Sequence, residues 1–138
     1  MIVILILAAG LRLWGINRQS LWFDEAVVAS VALLDTREVI PTIRWAEKTP
    51  PLHYFLVHFW VKLFGASETS IRMPSVLAGV ASVGLMYLLL KRLRGEWAGV
   101  AGALLLALSP YHIHYSQEAR AYALMVAELG PRVIRYRR

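Results

Sequence analysis

The stretch MPSVLAGVASVGLMYLLL, residues 73–90, contains 18 residues without a charge and is followed by Lys91 and Arg92. At about 1.5 Å per residue, a helix of this length approaches the roughly 30 Å hydrocarbon core of a bilayer. A second uncharged run, residues 97–116, is 20 residues long and begins with small residues that permit close helix contact. Both runs are predicted to be transmembrane helices.

The composition of the whole chain favours the same class. Hydrophobic residues make up 58% of the 138 residues and charged residues 17%, whereas soluble domains carry about a quarter charged residues. The length allows one domain at most.

The formal charge is +6, but four arginines lie in the last seven positions, so the rest carries +2 and no nucleic-acid partner is predicted. Without cysteine, disulfides and thiolate metal sites are excluded.

Two further apolar runs are less clear. Residues 1–16 are apolar apart from Arg12 and are interpreted as a first transmembrane helix. A signal peptide is the alternative, but the run lacks a basic start and a small-residue cleavage site. Residues 49–61 are uncharged over only 13 positions, about 20 Å as a helix, which is short for a span. They are predicted to form a re-entrant or interfacial helix on the outer face, with a spanning helix as the alternative.

Loop charges predict the orientation. Residues 17–48 carry four basic and five acidic side chains, whereas residues 91–96 carry three basic and one acidic. The positive-inside rule therefore places residues 91–96 in the cytoplasm and residues 17–48 outside. With a re-entrant 49–61 segment, Asp24, Glu25 and residues 117–122 share the outer face. If that segment spans, the two polar clusters lie on opposite faces.

The acid pair follows two aromatic residues, in the sequence SLWFDEA at residues 20–26. Acidic residues in a first helical turn stabilise the helix dipole, which is the structural interpretation. A carboxylate partly desolvated by Trp22 and Phe23 is also suited to general-base catalysis, because burial raises its pKa. Both interpretations stay open for Asp24 and Glu25 at this point.

The second polar cluster ends the 97–116 run. Polar groups near membrane depth need partners or a cavity, which makes Glu118, Arg120 and Tyr122 candidate site residues. The alternative is that Arg120 reaches lipid headgroups and the tyrosines form an interfacial belt. Lys48 is a candidate for a lipid-linked phosphate, or for headgroups alone. The spacings of the four histidines are unsuited to a shared metal ion, so the metal requirement is not assigned.

Four stretches occur in the order and spacing found in one enzyme group: SLWFDEA (20–26), TPPLHYFLVHFWVKLFG (49–65), SIRMPSVLAGV (70–80) and SPYHIHYSQEARAYAL (109–124). Together they resemble the amino-terminal part of GT-C glycosyltransferases. The resemblance is to the protein O-mannosyltransferase type, with the lipid A aminoarabinose transferase and the bacterial RgtA/B/C/D-like proteins.

The resemblance implies an all-α, multipass transmembrane bundle with about three spans and an outer-face re-entrant or juxtamembrane helix. It implies transfer of a sugar from a dolichyl- or undecaprenyl-phosphate donor to a hydroxyl of a protein or glycolipid acceptor. The reaction would take place on the periplasmic, extracellular or lumenal face, among membrane lipids. Asp24 matches the catalytic carboxylate, with Glu25 beside it, and a divalent metal is left open. The positions expected to bind substrate are Lys48, His53, Glu118, Arg120 and Tyr122.

Residues 1–127 are predicted to be the amino-terminal membrane portion of such an enzyme. Residues 128–138 form a basic tail unlike the family, which indicates a truncated, frameshifted or fragmentary reading that is inactive alone. The alternative is a non-catalytic relative or a small membrane protein that binds partners through small-residue helix faces.

Overall fold

The computed structural model describes residues 1–18, 20–46 and 51–119. Across these ranges the protein has seven helices and no strand, which confirms the all-α class. The helices are α1 (Ile2–Leu13), α2 (Phe23–Ala32), α3 (Thr36–Ala46), α4 (Pro51–Phe64), α5 (Glu68–Arg94), α6 (Glu96–Leu108) and α7 (Pro110–Gln117).

The longest helix is α5, with 27 residues, and it contains the predicted run 73–90. It begins at a Ser67 cap, whose hydroxyl oxygen accepts the Ser70 backbone N–H at 3.1 Å, and it ends at Gly95 with a φ of 93°. Within the described residues, α5 is the helix long and apolar enough to cross a membrane, and the shorter apolar helices are Ile2–Leu13, Leu52–Phe64 and Glu96–Leu108. A multipass arrangement therefore remains a prediction.

Packing is organised around α5, which contacts α1, α4, α6 and α7. One apolar cluster joins α2 and α4 to the start of α5, and a second joins α1 to α6 and the middle of α5. The first cluster includes Val28, Val31, Tyr54, Val57 and Ile71. The second includes Ala8, Val83, Ala103 and Ala107.

The predicted helix over residues 97–116 is wrong as a single element, because α6 ends at Leu108 and α7 begins at Pro110. Proline lacks a backbone N–H and disfavours helical dihedral angles in the residue before it. Ser109 accordingly has an extended ψ of 117°, and its hydroxyl oxygen accepts the His112 backbone N–H at 3.4 Å. Pro110 is the signal in the sequence that indicates this break, because an uncharged run can extend across a helix boundary.

The break leaves carbonyl groups at the end of α6 without helical partners, and α1 supplies donors to them. The fully buried Arg12 guanidinium contacts the carbonyl oxygens of Ala107 at 3.4 Å and Leu106 at 3.5 Å. In return, the Gln117 side-chain amide donates to the Arg12 carbonyl at 3.0 Å and the Trp14 carbonyl at 2.9 Å. The end of α6 is thus capped by a side chain of α1, and the end of α1 by a side chain of α7.

A close contact between α5 and α6 depends on Gly99. A Cβ atom there would lie 2.9 Å from the Tyr87 carbonyl oxygen and 3.0 Å from Lys91 Cβ. We expect Gly99→Ala to destabilise the protein by about 1 to 3 kcal/mol through overpacking, which thermal unfolding monitored by helical circular dichroism in detergent would measure.

The matched control is Gly10→Ala on α1, where an added Cβ meets nothing within 4 Å. Because alanine favours the helix over glycine by roughly 0.5 to 1 kcal/mol, Gly10→Ala should be neutral or stabilising. Equal unfolding temperatures for the two variants would contradict the close α5–α6 contact.

Candidate functional site

The predicted acid pair lies in the first turn of α2, directly after Trp22. The Glu25 carboxylate turns back and accepts the Trp22 backbone N–H at 3.2 Å, as the acidic member of a capping box does. Asp24 is half-buried and lies about 100° around the helix from Glu25. Both acids thus lie in the first turn of α2, as the structural interpretation predicts, and Glu25 also caps the start of the helix.

Glu25 forms a two-point ion pair with Arg72 of α5. The Oε1 atom accepts from Arg72 Nε at 2.9 Å and Oε2 accepts from an Arg72 terminal nitrogen at 2.6 Å. Glu25 is 1% and Arg72 3% exposed, so water does not screen the pair. Paired hydrogen bonds between a guanidinium and a carboxylate are among the stronger polar contacts in proteins. This ion pair fixes α2 against the start of α5.

The same carboxylate reaches the end of α7. Its Oε1 atom accepts the Ala119 backbone N–H at 2.8 Å, so each carboxylate oxygen has two donors. Burial alone raises the pKa of Glu25, but hydrogen bonds from Arg72, Ala119 and Trp22 outweigh it, and the pKa lies below its usual value. We name these four residues the Glu25 junction.

Arg72 also holds the connection between α1 and α2. Two more of its N–H groups donate to the carbonyl oxygens of Ile16 at 2.5 Å and Ser20 at 3.4 Å. The junction thus links this connection, α2, α5 and the residue after α7. Glu25 of the first polar cluster thus contacts Ala119 of the second, while the re-entrant topology and the side of a membrane on which they lie stay predictions.

A pocket of about 220 Å³ opens beside the junction. One wall comes from the α1–α2 connection and the other from the end of α7, with Arg72 between them. The lining residues are Trp14, Gly15, Ile16, Arg18, Trp22, Arg72, His114, Gln117 and Glu118.

The structure brings some of the predicted substrate-binding residues to this region. Glu118 lines the pocket and pairs with His114 at 3.2 Å. His53 is buried on α4, and its Nε2 atom, 3.1 Å from the Ala119 carbonyl oxygen, donates to that oxygen because a carbonyl can only accept. Lys48, Arg120 and Tyr122 lie outside the described residues.

Sequence reasoning did not single out Arg72 or Gln117, although both lie within stretches that carry the family resemblance. A cation at the start of an apolar run is the signal that could have identified Arg72, since a buried charge needs a partner. Nothing local could have paired Arg72 with Glu25, which is 47 residues away. For metal binding, the described ranges contain no group of three or more His, Asp or Glu side chains that could hold an ion.

Replacing the buried carboxylate should destabilise the fold. Glu25→Gln leaves the buried Arg72 guanidinium without its counter-charge, and losing one member of a buried pair typically costs about 3 to 5 kcal/mol. Glu38→Gln, an exposed acid in the first turn of α3, should cost less than about 1 kcal/mol. Chemical unfolding in detergent would compare them, and similar losses would contradict the junction's importance.

The junction also predicts a dependence of stability on acid. Because folding lowers the Glu25 pKa, its stabilisation is complete above the unfolded-state pKa, near 4.3, and is lost as the pH falls through the folded-state value. The unfolding free energy of the wild type should therefore fall below about pH 5 more steeply than that of Glu25→Gln, whereas Glu38→Gln should follow the wild type. Parallel acid profiles for wild type and Glu25→Gln would refute this assignment.

Comparisons with known proteins assign more than half of the chain to one family. The family model for the dolichyl-phosphate-mannose-protein mannosyltransferases matches residues 48–129, more than half of the chain. YkcB of Bacillus subtilis strain 168, provisionally named a mannosyltransferase, is 34% identical over 77 residues, which is 56% of this chain and 11% of YkcB. YycA of the same strain, with the same provisional name, is 31% identical over 80 residues, 58% of this chain and 12% of YycA.

The chain thus spans about one-ninth of the length of these relatives. No solved structure matches it. The resemblance drawn from the four sequence stretches is confirmed. The chain belongs to the dolichyl-phosphate-mannose-protein mannosyltransferase family of GT-C glycosyltransferases.

Proposed function

We propose that this chain carries the catalytic carboxylate of a membrane glycosyltransferase that moves a sugar from a polyprenyl-phosphate donor to an acceptor hydroxyl. Asp24 is the general base. The observation that carries the proposal is the Glu25 junction, which fixes the first turn of α2, where Asp24 lies two residues after Trp22, a residue that lines the pocket. Asp24 itself does not line the pocket. The family of the chain supports the reaction class.

The proposed reaction is a single displacement at the anomeric carbon. Asp24 takes the proton of the acceptor hydroxyl as its oxygen bonds to the anomeric carbon, and the bond from that carbon to the phosphate oxygen breaks. The electron pair leaves with the polyprenyl phosphate, which is a good leaving group. One displacement inverts the anomeric configuration, and no protein nucleophile is needed.

Glu25 has a different role in this proposal. Both its oxygens accept two hydrogen bonds, and its lowered pKa keeps it ionised, so it is poorly suited to receive a proton at neutral pH. It positions Asp24 instead. Glu118 in the pocket, with Lys48, Arg120 and Tyr122, is proposed to bind the donor phosphate or sugar, and the buried His53 contributes by fixing the backbone at Ala119.

We propose that the site lies at the outer face of a multipass membrane protein. Arg72 and Lys91 are 19 residues apart on α5, which corresponds to roughly 30 Å along the helix, close to the thickness of the hydrocarbon core. The Glu25 junction and the basic residues 91–94 are therefore separated by one membrane thickness. With the basic end in the cytoplasm, the pocket faces outward.

Asp24→Asn tests the base assignment. Membranes containing the protein are supplied with undecaprenyl-phosphate mannose labelled in the sugar, and loss of label from the lipid is measured. We expect Asp24→Asn to slow transfer by about 100-fold to 10,000-fold, the usual contribution of a positioned base. Carbonate extraction should recover equal amounts of variant and wild type from the membrane.

The matched control is Asp35→Asn, an exposed acid just before α3 that does not line the pocket. It should transfer at the wild-type rate. Wild-type activity in Asp24→Asn would remove the base assignment. Absence of transfer in the wild type as well would favour the non-catalytic alternative.

A further inference from the structure

The turn between α5 and α6 lies at the opposite end of α5 from the Glu25 junction, and it is strongly basic. Residues 91–97 are all exposed, and they carry three basic side chains and one acidic side chain. Gly95 has a φ of 93°, in the left-handed region, and this turn lets α6 begin directly after α5 ends. The charges of the segment are therefore presented together at the end of the α5–α6 helix pair.

The acidic side chain is neutralised within the turn. The Glu96 carboxylate forms an ion pair with Lys91 at 2.6 Å and accepts a hydrogen bond from the Tyr87 hydroxyl. Lys91 in turn donates to the Tyr87 hydroxyl oxygen at 3.2 Å. Since one acid and one base cancel, the turn keeps a net charge of +2 from its two arginines.

These two arginines, Arg92 and Arg94, lie in the exposed last turn of α5, and neither makes a hydrogen bond or ion pair to the residues that the structure describes. Cations there stabilise the helix dipole, which is the structural explanation of their presence. That explanation leaves the guanidinium N–H donors open to an anion. Because the arginines are two residues apart, they lie about 200° apart around the helix and do not converge on one small ion.

Trp97 adds an amphipathic group beside these charges. Its side chain is 86% exposed at the start of α6. Exposed indole rings and basic residues together are typical of the headgroup layer of a membrane. Residues 73–90 before the turn and residues 97–108 after it contain no charge. The turn therefore has the composition of a segment at which two apolar helices meet a membrane surface.

We propose that the α5–α6 turn binds anionic phospholipid headgroups, with Arg92 and Arg94 contacting lipid phosphates on opposite sides of α5. Anionic lipids attract basic residues next to a membrane helix, whereas a zwitterionic headgroup carries a cation of its own. Cations on opposite sides of a helix suit the many phosphates of a lipid surface better than one soluble phosphate ion. The inference uses the proposed membrane location of α5 but not the proposed transfer reaction.

The test is native mass spectrometry of the chain in a non-ionic detergent, with dioleoylphosphatidylglycerol and dioleoylphosphatidylcholine as probes. The wild type should bind phosphatidylglycerol more tightly than phosphatidylcholine. Arg92→Gln and Arg94→Gln should each weaken phosphatidylglycerol binding by about fivefold and change phosphatidylcholine binding by less than about twofold. The matched control is Arg37→Gln, an exposed arginine of α3 with the acids Asp35 and Glu38 close to it in the sequence, which should bind both lipids within about twofold of the wild type.

Glu96→Gln should change the affinity in the opposite direction. Removing this carboxylate releases Lys91 and raises the charge of the turn, so phosphatidylglycerol binding should tighten by up to about fivefold. A variant that only loosened the turn would not bind the anionic lipid more tightly. Weaker phosphatidylglycerol binding in Glu96→Gln would contradict the charge argument.

Equal binding of the two lipids by the wild type, or unchanged phosphatidylglycerol binding in either arginine variant, would overturn the proposal. Ammonium phosphate should not displace the bound lipid, and displacement would assign the arginines to a soluble anion instead. Helical circular dichroism should be the same for all variants in this detergent. The proposed transfer reaction is judged separately, by the rate of label loss in Asp24→Asn membranes.

Discussion

The ion pair between Glu25 and Arg72 is the interaction on which this end of the protein depends. Removing two charges from water costs several kcal/mol for each ion, and attraction between them offsets this only when the remaining hydrogen-bonding groups also have partners. Here the carboxylate accepts four hydrogen bonds, and the guanidinium also donates to the carbonyl oxygens of Ile16 and Ser20. Because these partners come from separate segments, displacing one segment leaves a buried charge unpaired.

The helix break before Pro110 also depends on hydrogen bonds from side chains of neighbouring segments. Carbonyl groups at the end of a helix have no partner within that helix, so neighbouring groups must satisfy them where water does not. Arg12 supplies donors to the end of α6, and Gln117 supplies an amide to the end of α1. The break turns α7 so that its last residue reaches α1 and its following residues reach Glu25. One proline thereby helps to create the pocket wall.

In the proposed enzyme, the polar residues of this region have different roles. Glu25 and Arg72 neutralise each other and hold the backbone, and Asp24 is the residue that we propose takes the proton. This difference in roles agrees with the general requirement that a reacting group be held by neighbours whose own hydrogen bonds are complete. Membership of the mannosyltransferase family gives the reaction class, and the donor, the acceptor and the membrane face remain proposals.

The sequence by itself determined the helical class, the position of α5 and the family, because long uncharged runs and four ordered motifs are local features that need no knowledge of packing. It also predicted that Asp24, Glu25 and residues 117–122 share one face if residues 49–61 do not span. Only the tertiary structure decided that Glu25 pairs with Arg72, that Gln117 caps α1 and that Arg18 faces a pocket. The physical reason is distance along the chain: these partners are tens of residues apart, so no helical periodicity relates them, and only the packing of α1, α2 and α7 against α5 brings their charges and hydrogen-bonding groups together.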